Sequence, residues 1–364
     1  MIDTAIIFKQ LHAQQQKLFG DYQNYVEVVQ DLWLRAVQDE QFFQKTHVSG
    51  GQTVVGWQEP ITRHSVVLPC SCYQVLAIDG SQIYPDRHDD VPVSLINSGG
   101  IWLSYDTNSR VSFFSTPTIC FQSEEHEAQN ASFIDAQRHL AELEMGLEKA
   151  RLYMLAQSET SLLLFDGALI CWHLENDKQL FARYFERVCA VLDQLREENR
   201  GVAWYTSRPK SRDLVRLLRA YADSTHQEAP YLARYRDSDV LNNWLGVYER
   251  TTVFACAGEF ITHYPPPLRP HFFYINSGAE IARVEIPAYI AQQHKCVEHI
   301  ATMVVDQCIK GDGYPLALAE AHEQVVVKSA DREAFRALVH HFAQRHNTAL
   351  TISRKLMKKR SLAL

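Results

Sequence analysis

Two short apolar runs in this chain each end in an aspartate followed by a glycine. The first is Tyr-Gln-Val-Leu-Ala-Ile-Asp-Gly-Ser at 73–81, and the second is Ser-Leu-Leu-Leu-Phe-Asp-Gly-Ala-Leu at 161–169. An apolar run that stops at glycine is typical of a buried strand, so Asp79 and Asp166 are each predicted at the carboxyl end of a core strand. Open sheets collect ligands at that end. Two such carboxylates at one rim would make a metal site.

The Asp-Gly pair also has a simpler explanation, because this dipeptide often turns the chain after a strand. A single copy would favour the turn. Two copies, each after four or five apolar residues, favour a chemical role for the aspartates.

The bulk composition is that of a folded globular protein. The chain has 364 residues, of which 46% are hydrophobic and 22% charged, so a substantial core in one large or two ordinary domains is available. The net charge of −7 argues against nonspecific coating of nucleic acid, which requires clustered Lys and Arg. It does not exclude an enzyme with local basic patches.

Cysteine usage and the N-terminus indicate a cytoplasmic protein. Only Cys70 and Cys72 of the eight cysteines are close together, as C-x-C without a second pair, so no zinc site is predicted and we expect reduced thiols. The first residues lack the layout of a signal peptide. No uncharged apolar stretch approaches the roughly 18 residues of a membrane span.

Hydrophobic periodicity predicts alternating strands and helices. Residues 3–46 have helical spacing and suit packing or self-association, and 47–70 resemble a linker. Strands predicted at 93–105 and 110–115 follow the first strand through short links, which indicates an antiparallel meander. A long helix is predicted at 124–158, with Ser123 as its N-cap.

The long helix carries acids, but its spacing does not choose among them. Glu144 and Glu148 are one turn apart and border the apolar stripe, so either could point toward the core rim. Glutamates on a helix of this length are usually solvated, and Glu142 is a further candidate.

Basic residues cluster near the predicted helix that begins at about 211. Arg208, Lys210 and Arg212 open this segment, and Arg216 and Arg219 continue it. Such a patch could hold a phosphate or DNA; a charged solvated face explains it equally well. The C-terminal segment 353–360 is also basic.

The order of these motifs resembles the NurA nuclease family over roughly residues 70–360. The matching pieces are Ile78-Asp79-Gly80-Ser81, the helix with Glu148, Leu164-Phe165-Asp166-Gly167-Ala168-Leu169, Tyr205–Ser211, Phe273-Tyr274-Ile275-Asn276, Gly313-Tyr314-Pro315 with His322, and Ser329-Ala330-Asp331-Arg332 with the basic tail. Ala168 stands where many members have Ser, a departure that leaves the ligands in place.

The resemblance implies an α/β fold with a ribonuclease-H-like mixed sheet core flanked by helices, preceded here by an N-terminal helical arm. It implies a DNase dependent on Mn²⁺, with Mg²⁺ as the alternative, that degrades ends 5′ to 3′ and cuts single strands. A ring-like homodimer and a HerA-type hexameric ATPase partner are also implied. The expected domains are an arm and linker at 1–70, a nuclease core at 71–330, and a C-terminal helix with a basic tail at 331–364.

Carried over by motif, Asp79, Glu148 and Asp166 are expected to be the acidic metal ligands. Tyr314 and His322 are the expected supporting residues, with His322 either completing the coordination sphere or shuttling protons. Hard divalent cations select oxygen ligands, and metal-assisted phosphodiester hydrolysis needs such a cation, so these residue types suit the chemistry.

Two other functions are compatible with parts of the sequence. A phosphatase could use an aspartate after a strand as nucleophile, but such enzymes commonly continue D-x-D, and this chain has Asp-Gly-Ser and Asp-Gly-Ala. A catalytically silent nuclease fold that docks on the ATPase would fit the acidic charge and the helical arm.

Overall fold

The structure is a computed structural model of the chain. It describes residues 3–15, 25–43, 55–56, 59–67, 72–85, 93–106, 108–121, 131–154 and 160–346. The predicted N-cap Ser123, Cys70 and the basic segment 353–360 lie outside the described residues.

Strands and helices alternate along the described chain. The strands are β1 (Val55–Gly56), β2 (Arg63–Ser65), β3 (Tyr73–Ile83), β4 (Val93–Tyr105), β5 (Arg110–Phe121), β6 (Ser161–Asp166), β7 (Val202–Thr206), β8 (Glu249–Thr251), β9 (Phe254–Cys256), β10 (Pro270–Asn276) and β11 (Ile281–Pro287). The α-helices are α1 (Thr4–Gln15), α2 (Val26–Gln38), α3 (Ala131–Tyr153), α4 (Trp172–Glu175), α5 (Lys178–Glu197), α6 (Asp213–Ser224), α7 (Asp237–Leu241), α8 (Ala288–Ala291), α9 (His294–Lys310), α10 (Leu316–Val325) and α11 (Ser329–Arg345).

The chain divides into two compact units. Unit 1 comprises Met1–Val66, Thr206–Thr262 and His271–Val284, and unit 2 comprises Val67–Tyr205, His263–Pro270 and Glu285–Leu364. The domain boundaries predicted at residues 70 and 330 stay a prediction.

Unit 2 contains a mixed sheet with the strand order β5-β4-β3-β6-β7. The first three strands form an antiparallel meander, as the short links predicted, and β6 and β7 add in parallel beside β3. Helices α3 and α10 both pack on β3 and β4. The predicted fold class, an α/β protein with a ribonuclease-H-like mixed sheet flanked by helices, is confirmed.

Helix α3 approaches this sheet closely because it presents a glycine to it. A Cβ on Gly146 would lie 2.6 Å from Cζ of Phe165 on β6. The predicted apolar stripe of the helix is buried, including Leu143 and Ala150. The rotation of α3 about its own axis is therefore determined by Gly146 and this stripe.

Unit 1 is built around a separate core, to which the N-terminal segment contributes. Helix α2 buries Val29, Leu32 and Trp33 in a cluster with residues of α6 and α7, so this part of the predicted arm is integrated into a core. Helix α1 has no buried residue. Strands β10 and β11 are neighbours in the sheet, at the place of the predicted hairpin. No helix in the described part of the chain is long and apolar enough to cross a membrane.

Candidate active site

The strand register brings the two predicted aspartates together. Strands β3 and β6 run in parallel, and their last paired residues are Ile78 and Phe165. Asp79 and Asp166 each follow one of these residues. Side chains at the same register of parallel neighbours point to the same face, on strands about 4.8 Å apart. The two carboxylates therefore lie side by side on one face of the sheet in unit 2.

The two Asp-Gly pairs do different things to the backbone. Gly167 has a φ of +94° and follows the last residue of β6, so the second pair turns the chain as expected. The expectation that Asp79 ends its strand is wrong, because β3 continues through Gly80 to Ile83 alongside β4. The rim exists because β6 stops at Asp166 while β3 goes on.

A third carboxylate, that of Glu142 on α3, lies at Gly80, the residue after Asp79, on the other face of the sheet. Successive side chains of a strand point to opposite faces, so Gly80 leaves a gap on the side opposite Asp79. A Cβ on Gly80 would lie 2.3 Å from Oε1 of Glu142, which shows that the glutamate occupies this gap. Its side chain is only 9% exposed.

Glu142 interacts electrostatically with both aspartates. Burial raises the pKa of Glu142 to about 7; Arg138 opposes that shift, and the charges of Asp79 and Asp166 add to it. Desolvation and the charge of Asp79 also raise the pKa of Asp166. A cation would offset the repulsion that Glu142 and Asp166 experience from their neighbouring carboxylates.

Tyr314 and His322 each contact one of the aspartates. His322 lies within α10, and Tyr314 lies just before its first residue, Leu316. The Tyr314 hydroxyl donates to Asp166 Oδ1 at 3.1 Å, and His322 Nδ1 is 2.9 Å from Asp79 Oδ2. The His322 side chain is 58% exposed, whereas that of Asp79 is 8% exposed. The histidine thus connects a buried carboxylate to solvent.

Glu148, the glutamate predicted as a ligand, is not brought to the cluster. Its side chain is 69% exposed and pairs with Lys149 at 2.8 Å. Glu144 is also exposed and pairs with Arg187. Residues of a helix that are four apart share a face, and residues two apart do not, so Gly146 directs Glu142 toward the sheet and Glu148 away from it.

Comparison with known proteins agrees with the sequence motifs. The family model of the NurA domain matches residues 73–327. The chain belongs to the NurA nuclease family. Comparison with curated protein sequences gave no match.

Solved structures similar to this NurA-family chain include other NurA proteins. A crystal structure of NurA is 11% identical, with 91% of this chain and 96% of that chain covered and a TM-score of 0.45. A crystal structure of NurA bound to dAMP and manganese is 11% identical, with 91% and 97% covered and a TM-score of 0.42. A Ciona intestinalis endonuclease V in complex with a 24mer DNA is 13% identical, with 73% and 87% covered and a TM-score of 0.28. The family assignment rests on the family model.

The donors of the NurA-family site fit a divalent cation in type and charge. Among the residues that the structure describes, no group of three or more His, Cys, Asp or Glu side chains is arranged so that it could hold a metal ion. Asp79, Glu142 and Asp166 nevertheless supply the oxygen donors that Mg²⁺ and Mn²⁺ take, and His322 adds a nitrogen that suits Mn²⁺ better than Mg²⁺. Burial and neighbouring carboxylate charge raise the pKa of Glu142 and of Asp166, and a bound cation would offset that unfavourable environment.

The predicted DNA-binding residues lie in unit 1. Arg208, Lys210 and Arg212 are all exposed between β7 and α6. Arg208 has a φ of +43°, and its Nε is 3.6 Å from a carboxylate oxygen of Glu280. Their exposure is compatible with binding an anion, and contact with DNA stays a prediction.

The sequence offered Glu142 as one of three candidate glutamates without choosing it, and it did not point to Arg138 beside it. The available signal was helical position. Glu142 lies four residues before Gly146 and next to Leu143 in the apolar stripe, and that spacing places it on the face that contacts the sheet.

Proposed function

We propose that this chain is a divalent-metal-dependent deoxyribonuclease. The observation that carries the proposal is geometric: Asp79 and Asp166 follow paired residues of parallel strands, His322 and Tyr314 contact them, and the buried Glu142 of α3 lies against Gly80, the next residue after Asp79. Glu142 replaces Glu148 in the proposed ligand set. The cation would be held by the three carboxylates together with His322.

The residues of the site have separable roles in this proposal. A bound divalent cation supplies charge neutralisation at the scissile phosphate and a water that is nucleophilic near neutral pH. The Tyr314 hydroxyl orients Asp166 through its hydrogen bond to Oδ1. His322 holds Asp79 through Nδ1, and its other ring nitrogen would either complete the coordination of the cation or, because the ring is largely exposed, exchange a proton with solvent.

The finer description of the activity rests on the family resemblance. We propose 5′ to 3′ exonuclease and single-strand endonuclease activities in DNA end processing, with Mn²⁺ preferred over Mg²⁺. The exposed Arg208, Lys210 and Arg212 would contact the phosphate backbone. A HerA-type hexameric ATPase and a second copy of the chain are the proposed partners.

Labelled DNA provides the direct test. Linear duplexes labelled at either end and a circular single strand would be incubated with the wild-type protein, Asp166→Asn, Glu142→Gln and Glu148→Gln in Mn²⁺, Mg²⁺ or EDTA. We expect Asp166→Asn and Glu142→Gln to lose more than the roughly 10–100-fold typical of outer-shell substitutions at metal sites. Glu148→Gln is the matched control and should cleave like the wild type.

Equal cleavage by all four proteins, or equal cleavage in EDTA, would remove the assignment. Release of label first from the 5′ end would support the proposed polarity, and release first from the 3′ end would contradict it. Intact circular DNA would argue against an endonuclease.

The basic segment can be tested through the salt dependence of DNA binding. Replacing Arg208, Lys210 and Arg212 with Gln should weaken binding uniformly across sequences and reduce the salt slope by about one for each lost phosphate contact. Arg35→Gln, at an exposed position of α2 outside this basic patch, is the matched control. An unchanged slope would exclude these residues from the interface.

The partners can be tested by mass. Light scattering should give about 84 kDa, twice the 41.8 kDa of one chain, and a value for a single chain would contradict the homodimer. Addition of a HerA-type ATPase should shift the protein to the elution volume of the hexamer. Separate elution at micromolar concentration would contradict the partnership.

A further inference from the structure

Arg138 is held in a fixed position at the edge of the acidic cluster. It lies on α3, four residues before Glu142, so the two side chains share one face of the helix. The same guanidinium nitrogen, Nη1, donates to Glu142 Oε1 at 2.8 Å and to the Gly80 carbonyl oxygen at 3.2 Å. Arg138 thus joins the helix to strand β3 through the glutamate.

The gap at Gly80 is filled by this pair. A Cβ on residue 80 would lie 2.3 Å from Glu142 Oε1 and 3.1 Å from Cγ of Arg138. The backbone of Gly80 is not in the left-handed region that favours glycine. The absence of a side chain, rather than a special conformation, is therefore what the structure requires at this position.

We propose that Arg138 and the gap at Gly80 together position Glu142 for the divalent cation. Arg138 is a positioning residue: it binds Oε1 and leaves Oε2 of the carboxylate for the cation. This inference rests on the proposed metal-dependent function and extends it to residues that do not themselves bind the metal.

The physical reason is that a carboxylate buried beside Asp79 and Asp166 is repelled by both. A neutral partner would not offset that repulsion, whereas a guanidinium supplies a fixed charge and directed donors. Hydrogen bonds to metal-binding carboxylates from neighbouring groups orient them and typically contribute 10–100-fold to metal affinity. Arg138 and the cation are both positively charged, and their direct repulsion would weaken Mn²⁺ binding. If that repulsion were the larger effect, removal of Arg138 would tighten the binding of Mn²⁺.

Calorimetric titration with Mn²⁺ alone separates these effects without any assay of cleavage. We expect Arg138→Met and Gly80→Ala each to weaken Mn²⁺ binding by about 10–100-fold, and Arg138→Lys to recover part of the loss. The matched control is Arg187→Met on α5, which removes the exposed partner of Glu144, a glutamate of α3. It should bind Mn²⁺ like the wild type.

A double-mutant cycle shows whether Arg138 acts through Glu142. In a Glu142→Gln background, Arg138→Met should weaken Mn²⁺ binding no further, because the group it positions is already gone. A purely structural role would lower the melting temperature of Arg138→Met and leave its affinity for Mn²⁺ unchanged.

The outcomes are distinct for the inference and for the proposed function. Wild-type affinity or tighter binding in Arg138→Met would overturn the inference, as would fully additive losses in the double variant. Both results leave the proposed function intact if the wild type binds Mn²⁺. A wild-type protein that binds no Mn²⁺ would overturn the proposed function and the inference together.

Discussion

Replacing Glu142 with glutamine should stabilise the metal-free protein at alkaline pH. In the folded chain the pKa of Glu142 is raised from its usual 4.5 to about 7, chiefly by burial. The folded state therefore binds a proton more tightly than the unfolded chain, and stability falls as the pH rises through that window. Each unit of pKa difference corresponds to about 1.4 kcal/mol. Ionised Glu142 should thus lower the free energy of unfolding by about 3 kcal/mol at pH 8.

Glutamine removes this penalty and keeps the local contacts. It has nearly the shape of the protonated glutamate, and its carbonyl oxygen can still accept the hydrogen bond from Arg138. We expect Glu142→Gln to be more stable than the wild type by about 3 kcal/mol at pH 8 and by about 1 kcal/mol at pH 5. In saturating Mn²⁺ the wild type should instead be the more stable of the two proteins. A ligand that binds the folded state stabilises that state, and we expect the variant to bind Mn²⁺ less tightly.

Urea unfolding in EDTA at pH 5 and pH 8, followed by circular dichroism, measures both differences. Glu148→Gln is the control, since Glu148 is 69% exposed and such surface changes usually stay within about 0.5 kcal/mol. The reasoning is refuted if Glu142→Gln is no more stable than the wild type at pH 8. It is also refuted if the difference between the two proteins is the same at both pH values.

Three further substitutions test other parts of the structure. Tyr314→Phe removes the hydrogen bond that lowers the pKa of Asp166, so the pH needed for half-maximal Mn²⁺ binding should rise; an unchanged pH profile would count against the contact. Gly146→Val should lower the free energy of unfolding by about 1–3 kcal/mol through overpacking against Phe165, and denaturant unfolding that matches the wild type would contradict the close packing of α3. Asp237→Ala removes the carboxylate that accepts hydrogen bonds from two backbone N–H groups of α6 and from a buried tyrosine hydroxyl. The free energy of unfolding should therefore fall by about 3 kcal/mol or more. Hydrogen exchange of the α6 amides should accelerate, and unchanged protection of these amides would contradict the prediction.

Element positions in unit 2 could be predicted because the signals for them are local. The bounds of β4 and β6 match the predicted strands 93–105 and 161–166, and the meander follows from short links between three strands. The end of β3 could not be predicted in this way. Gly80 pairs with Ser98 of β4, and a partner strand of that kind continues the ladder through a residue that would otherwise indicate a stop.

Four of the five predicted site residues are brought together in the structure, and for the two aspartates the physical reason is visible in the sequence. Each acid follows an apolar run, and two acids that come after paired residues of parallel neighbouring strands reach the same place, although Asp79 is buried within β3 and does not end it. Tyr314 and His322 were identified through the order of the family motifs. Their contacts with Asp166 and Asp79 depend on how α10 packs, which no local pattern specifies.

Local patterns in the sequence are enough to show that two aspartates end apolar runs and that a long amphipathic helix lies between them. Which glutamate of that helix lies near them depends on tertiary packing. The helix has acids on more than one face, and its rotation depends on Gly146 packing against Phe165. The place for the glutamate depends on the missing side chain at Gly80. Both are contacts between segments far apart in the chain, so the choice of Glu142 emerges only when the helix is packed on the sheet.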